Sequence, residues 1–413
     1  MKSWNSGDVR RAAGRRIVMP LLSAALLLTA CGTGGGAGGQ VSGAGANLPG
    51  TPIVIGGLVN VSGSGNDVDK VLAPIMKAWG EHTNKNGGIK GHPVDVRVED
   101  TRNDASQATA LAEQLVADDS VVAVAMGSTA IEGAISPVFA GGDVAVGGIG
   151  YNPKVWSALP NYYTITTTFP QTVSVQLKSA KDIGATKVAA VACAESVNCL
   201  AAAPVFEAAT KTYGLGYAGV FQVSSSAPNY TAECLQMIQK GVDYIQISIS
   251  QGGATRLVTD CQRQGYKGWF GASHGSVQAG FYNAVPTIRM AGGINGFPWW
   301  TDTEPVKAFR AAMQEAGLGQ EEWANPNSTA MWASLELLRK ALSGVAPNDQ
   351  VTRTTVQQGL GGLRGETLDG LLPMPFTYTP GQPAPKVPCY WLYRYENAKF
   401  SGPEQPTCET TTS

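Results

Sequence analysis

Asn84-Lys85-Asn86-Gly87-Gly88-Ile89-Lys90-Gly91-His92-Pro93-Val94 sets three glycines and a proline between two stretches of different periodicity. Upstream, residues 68–84 carry apolar side chains at helical spacing; downstream, 94–99 reads as a strand. Glycines admit positive φ, so the chain can turn sharply from helix into strand here. With a further β-branched run at 53–59, the stretch completes a strand-helix-strand unit, the repeating element of a parallel sheet.

The alternation continues outward. Strands are predicted at 53–59, 94–99, 121–126 and 144–148, with helices at 68–84, 104–118 and 130–140; Asp104-Ala105-Ser106 offers N-cap oxygens to the second helix. A second series follows Tyr162-Tyr163-Thr164-Ile165-Thr166. Its strands fall at 187–192, 217–223, 244–248 and 269–271, and its helices at 171–183, 200–213, 230–240 and 252–264. Near-continuous apolar strands between amphipathic helices predict an α/β fold of two doubly wound parallel-sheet lobes. A third portion holds a strand at 293–297 and helices at 304–316, 327–342 and 352–360. Its proline-rich tail (Pro373 to Pro388) ends in an aromatic strand at 390–395, and it reads as completing the two lobes. The 413 residues exceed one compact domain and suit two or three.

Composition excludes several function classes. Thirty Lys and Arg stand against 31 Asp and Glu, so no basic excess exists to neutralise nucleic-acid phosphates. An apolar fraction of 43% rules out wholesale disorder. Seven cysteines leave one unpaired.

The N-terminus accounts for the odd cysteine. Lys2, Arg10, Arg11, Arg15 and Arg16 precede an apolar run from Ile17 to Leu28, which is too short to span a bilayer. Leu28-Thr29-Ala30-Cys31 then resembles the bacterial lipobox. That resemblance implies cleavage before Cys31 and lipid attachment to it, with residues 1–30 as the lipoprotein signal peptide and 31–50 as a tether. The tether holds nine glycines between Gly32 and Gly50. Cleavage removes five bases and one acid and takes the formal charge from −1 to about −5. The expected product is exported and lipid-anchored on the outer face of the cell membrane. An ordinary secretory signal is the alternative. Six cysteines remain, an even set suited to an oxidising compartment. They allow 15 pairings; chain order suggests Cys193–Cys199, Cys234–Cys261 and Cys389–Cys408, and buried free thiols are the other reading.

Enzyme motifs fail for want of partners. Gly271-Ala272-Ser273-His274-Gly275 has the form of a nucleophile elbow, but no histidine follows His274 to act as base. A secreted serine hydrolase using this motif is therefore the distant alternative. Gly63-Ser64-Gly65 lacks the third dinucleotide glycine, with Val68 in its place, and three scattered histidines form no familiar zinc site. No cofactor is called for. Asp118-Asp119 reads as solvated surface.

The opening stretch resembles the N-x-x-G-G-I-x-G-x-P-V turn of the branched-chain amino-acid-binding (Leu/Ile/Val-binding, type I periplasmic binding protein) family of ABC-transporter solute receptors. The similarity runs in order and spacing from about Ile53 to Leu342, through Glu99-Asp100, the helix opening Asp104-Ala105-Ser106-Gln107-Ala108, and Gly127-Ser128-Thr129. It implies a non-enzymatic receptor whose lobes, joined by three crossovers, close like a hinged trap over a small organic solute. Lobe 1 would comprise 51–165 plus 298–368, and lobe 2 166–297 plus 369–413. The implied partners are a membrane permease and its ATPase subunits, the receptor itself being a monomer. A sensory receptor of the same fold is the nearer alternative, though it would need an output domain.

In open parallel sheets ligands sit beyond the carboxyl ends of strands. That rule selects Asn60, Ser128, Thr129, Gly150 and Tyr151 in the first series, and Glu195, Gln251 and His274 in the second. By resemblance, Ser128 and Thr129 would hold a ligand carboxylate; helix capping is their structural alternative. Tyr151 and His274 depart from the amino-acid pattern, since neutral imidazole does not replace a carboxylate against an ammonium unless Glu195 takes that role. An amino acid, an amide and an aromatic or anionic compound all stay open. Trp299 and Trp300 could line the site or pack between lobes.

Overall fold

The glycine turn adopts the conformation its composition allows. Gly87, Gly88 and Gly91 have φ of 91°, 68° and 90°, and a Cβ at Gly88 would stand 2.1 Å from the His92 carbonyl oxygen. Only glycine fits that approach. His92 is fully buried, its ring nitrogens 2.8 Å from the Thr51 carbonyl and 2.9 Å from that of Ala346. The turn links helix α1 (Leu72–Lys85) to strand β2 (Val94–Asp100). Strand β2 lies parallel to β1 (Ile53–Val59), Ile53 facing Val94 and Val59 facing Asp100. The computed structural model describes residues 47–195, 199, 202–272 and 277–409.

The first sheet has order β2-β1-β3-β4, all parallel, with β3 at Val121–Gly127 and β4 at Ala145–Gly148. All seven β1 residues are buried because both faces are covered. Ile53, Ile55 and Val59 meet Leu72, Ile75, Met76 and Trp79 of α1. The alternate residues Val54 and Leu58 meet α2 (Ala105–Ala117) and α3 (Glu132–Phe139) through Ala108, Ala112, Ile135 and Phe139.

After the short helix α4 (Pro153–Trp156) the chain passes to a second sheet. Its parallel strands are β5 (Lys187–Cys193), β6 (Gly216–Val223), β7 (Tyr244–Ser248), β8 (Trp269–Ala272) and β9 (Met290–Ile294). Helix α5 (Phe169–Asp182) precedes β5, and α6 (Ala202–Tyr213), α7 (Thr231–Gln239), α8 (Gln251–Arg263) and α9 (Ala279–Ala284) lie between the strands. Val188, Ala190 and Ala192 of β5 pack with α5 and α6, while Ala189 and Val191 join the core on the other face.

The third portion divides. Helices α10 (Glu304–Glu315), α11 (Gln320–Trp323) and α12 (Pro326–Ala341) pack on α1, and α13 (Arg353–Gly362) packs on β3 and β4. The tail returns to the second sheet as β10 (Cys389–Glu396), antiparallel to β9, with short antiparallel partners β11 (Lys399–Ser401) and β12 (Thr407–Cys408). That sheet is therefore mixed at one edge, where the returning tail adds antiparallel strands to the parallel set. The strand expected at 293–297 is displaced to Met290–Ile294. Its register follows the tail, Tyr395 facing Met290 and Trp391 facing Ile294. Residues beyond Ile294 leave the sheet for the next crossing. Trp299 packs edge-on to Trp300 and Phe400, and Trp300 stacks on Phe400, so this pair serves the core beside β11. Bridges join Cys193 to Cys199, Cys234 to Cys261 and Cys389 to Cys408. Among the described residues no helix is long and apolar enough to cross a membrane.

Candidate functional site

The carboxyl end of the first sheet carries a buried polar cluster. The loop after β1 is held by its own side chains. Asn60 accepts from the Gly63 N–H at 3.0 Å and donates to the Ser64 carbonyl at 3.3 Å, while Asp100 accepts from the N–H of Val61 and from Ser62. The Asn60 amide is thus spent on loop structure. Ser128 at the end of β3 is fully buried, its hydroxyl 2.7 Å from that of Thr101.

Thr129 is committed elsewhere. Its hydroxyl donates to Asp69 Oδ1 at 2.9 Å and its backbone N–H to Asp69 Oδ2 at 3.2 Å. Asp69 lies ahead of α1 in a turn where Asn66 accepts the N–H of Asp69 and Lys70. The helix therefore begins at Leu72 and not at 68. Asp69 is only 2% exposed. Burial pushes its carboxyl up to about 7, against the two Thr129 bonds and with help from Glu132.

Glu132, the first residue of α3 and also 2% exposed, gathers the loop after β4. It accepts from the N–H of Tyr151 at 3.1 Å, that of Asn152 at 2.7 Å, and the Trp156 indole. Burial raises its carboxyl to about 7 in spite of those bonds. Gly150 belongs to the same packing. A Cβ there would stand 1.7 Å from Trp156 Nε1 and 2.3 Å from Glu132 Oε2, so the glycine makes room for protein side chains. Tyr151 donates its hydroxyl to Asn327 Oδ1 at 2.7 Å. Burial, then Asp69 and Glu132, raise its phenol well above the ordinary range.

Two asparagines complete the cluster. Asn327 lies in the first turn of α12, whose N-cap Asn325 accepts from the Ser328 N–H. Asn295 follows β9 and faces the Tyr151 hydroxyl. Each is 1% exposed. Among the described residues Asn327 Nδ2 has no hydrogen-bond partner, and the Asn295 amide forms no well-aligned bond, only its approach to the Tyr151 hydroxyl. Among the described residues neither Asp69 nor Glu132 forms an ion pair.

The second sheet contributes separate residues. Exposed Glu195 accepts from the Ser224 hydroxyl and the Ser225 N–H, both at 2.8 Å. Slight burial would push it up, but those bonds hold its carboxyl below the usual range. Gln251 opens α8 after the N-cap Ser250, its side-chain amide lying over Gly280. Among the described residues no hydrogen bond or ion pair joins Glu195 or Gln251 to the first cluster. Ser273 and His274, like Cys31, lie outside the described residues.

The structure thus brings Thr129, Gly150 and Tyr151 into one cluster and adds Asp69, Glu132, Asn295 and Asn327, which sequence reasoning passed over. The two acids sit in the first turns of expected helices, where a carboxylate ordinarily complements the helix dipole. A groove of about 690 Å³, lined by His82, Phe309, Trp332, Arg339 and Glu366 among others, lies towards the far end of α1. Its volume does not mark the strand ends. No group of three His, Cys, Asp or Glu among the described residues is arranged to hold a metal.

Residues 52–399 match the family described as periplasmic binding protein. No curated protein matches the chain in sequence. Solved structures with the same fold include an ABC-transporter solute-binding protein from R. palustris in complex with 4-hydroxybenzoate (15% identity, TM-score 0.69, 87% of this chain and 98% of that one). A fatty-acid ABC-transporter substrate-binding protein from Thermomonospora curvata aligns at 15% identity and TM-score 0.70 over 87% and 93%. A leucine-binding protein from Thermotoga maritima aligns at 15% and 0.67 over 85% and 97%.

Proposed function

Because this chain belongs to the periplasmic binding protein family, we propose that it is the extracytoplasmic solute receptor of an ABC importer, without catalytic activity. The observation that carries the reading is the family match across 52–399, on a chain that passes three times between two α/β sheets. Lobe 1 is assigned residues 51–165 plus 298–368, and lobe 2 residues 166–297 plus 369–413. A solute held between strand-end loops of both lobes favours the closed arrangement by its differential affinity for it. The three similar structures come from proteins described with 4-hydroxybenzoate, fatty acid and leucine, which supports a small organic solute.

The lipobox-like Leu28-Thr29-Ala30-Cys31 and the glycine-rich stretch behind it support export and anchoring through a lipid on Cys31. The receptor acts as a monomer that presents its closed form to a permease with ATPase subunits. Ser128 and Thr129 on one side, and Glu195, Gln251 and His274 on the other, are the residues nearest such a solute. A secreted hydrolase using the G-A-S-H-G stretch is the distant alternative, disfavoured because the motif's histidine partner is missing from the given sequence after His274.

A thermal-shift screen across amino acids, amides, aromatic acids and polyamines tests the reading. A true ligand at a hundredfold excess over Kd stabilises the protein by about 2.7 kcal/mol, several degrees in melting temperature. A panel in which no solute raises the melting temperature would sink it.

A further inference from the structure

Thr129 offers an N–H and a hydroxyl in one direction, the arrangement that receives an anionic oxygen pair, and the chain fills it from within. Both donors go to the carboxylate of Asp69, at 3.2 and 2.9 Å. A carboxylate has about four acceptor positions. Thr129 supplies the two donors found on Asp69 among the described residues, whereas Glu132 receives three, from Tyr151, Asn152 and Trp156. Asp69 therefore keeps acceptor capacity, and among the described residues it forms no ion pair.

A second observation is independent of the acids. Among the described residues Asn327 Nδ2, 1% exposed, has no hydrogen-bond partner, and the equally buried Asn295 amide forms no well-aligned bond, only its approach to the Tyr151 hydroxyl. Buried polar atoms without partners cost on the order of 1–3 kcal/mol each. A buried group left in that state calls for something that completes it, such as a water, an ion or a ligand. Their neighbours Tyr151, Asp69 and Glu132 stand close enough to influence one another electrostatically.

Resting on the receptor reading above, we propose that Asp69 is the residue of lobe 1 that selects the solute, and that it selects an N–H donor, an ammonium or a carboxamide, over a carboxylate. A solute carboxylate meets Thr129 donors already taken, and it faces a second carboxyl with no cation among the described residues to balance the pair. An ammonium or carboxamide gives its N–H to the open positions of Asp69, and a carboxamide oxygen also suits the unpartnered Asn327 Nδ2.

Calorimetric titration of the full chain with matched pairs decides the matter: leucine against leucinamide, and 4-hydroxybenzoate against 4-hydroxybenzamide and 4-hydroxybenzylamine. Amide and amine are expected to bind at least tenfold tighter than the acid, and their relative order separates carboxamide from ammonium. Asp69→Asn is expected to reverse that preference by tenfold or more, while Asp69→Glu retains it. Equal or tighter binding of the acids by the native protein, or equal weakening of all compounds in Asp69→Asn, overturns the role of Asp69 and leaves the receptor reading intact. Absence of binding by every compound, there and in the wider screen, removes the receptor reading itself. Should Asp69→Asn fail to fold, the ranking in the native protein still decides.

Discussion

The Tyr151 hydroxyl donates to Asn327 Oδ1 at 2.7 Å, tying the loop after β4 to the first turn of α12 across 176 residues of sequence. This bond joins the first crossing between the sheets to the segment that returns after the second. Tyr151→Phe removes the donor and leaves the Asn327 amide with neither atom satisfied among the described residues. The expected loss is about 1–3 kcal/mol in unfolding free energy, measured by urea denaturation. A change below 0.5 kcal/mol would show that the bond is not held in solution.

The two buried carboxyls make stability depend on pH. Asp69 and Glu132 rise to about 7 in the folded chain from ordinary values of 3.8 and 4.5. For an acid raised on folding, the native state binds more protons than the unfolded state between the two values. Stability is therefore expected to fall as pH rises from about 4 to about 7, by up to roughly 1.4 kcal/mol per pH unit for each group. Denaturation midpoints across that range should show a shallower decline in Asp69→Asn and in Glu132→Gln. Identical slopes in all three proteins would contradict the burial of these charges.

How far the fold was legible follows from the same residues. Val54, Ile55 and Leu58 lie in a near-continuous apolar run because both faces of β1 are covered, and such runs announce a parallel sheet. The turn at Gly87-Gly88 is equally plain, since its positive φ demands glycine. Met290–Ile294 was misplaced because its register is set by Trp391 and Tyr395, about a hundred residues later. Glu132 and Asp69 were invisible for a related reason. A first-turn acid looks the same whether it faces water or a buried indole. Only the packing of α3 against the loop after β4 makes Glu132 an acceptor for Trp156. Gly150 was selected by its place after a strand, whereas its smallness serves that packing.

The bridges differ in what their removal should cost. Cys234 and Cys261 are fully buried and close a separation of 27 residues, against 6 for Cys193 and Cys199. Loop-closure entropy gives about 3.5 kcal/mol for the longer loop and about 2 kcal/mol for the shorter. Paired Cys→Ala variants should follow that order in denaturation experiments. Thiol labelling of the native chain should reach these cysteines and the Cys389–Cys408 pair only after reduction, and labelling without reductant would refute the bridges.

Gly150→Ala separates packing from ligand approach at the loop after β4. If glycine is present to let a solute near the backbone, alanine weakens binding and leaves the unliganded protein as stable as before. The geometry argues otherwise, because the new methyl would fall 1.7 Å from Trp156 Nε1 and 2.3 Å from Glu132 Oε2. Relieving that overlap means moving the indole or breaking bonds to a buried carboxylate. Overpacking of this kind typically costs about 1–3 kcal/mol, and a buried carboxylate that loses donors adds to it. The unliganded variant is therefore expected to lose at least about 3 kcal/mol, read from its denaturation curve without any solute. Trp156 fluorescence should shift with it, since the indole sits at the overlap. Unchanged stability with weakened binding would return Gly150 to the solute and take the Glu132 cluster out of the account.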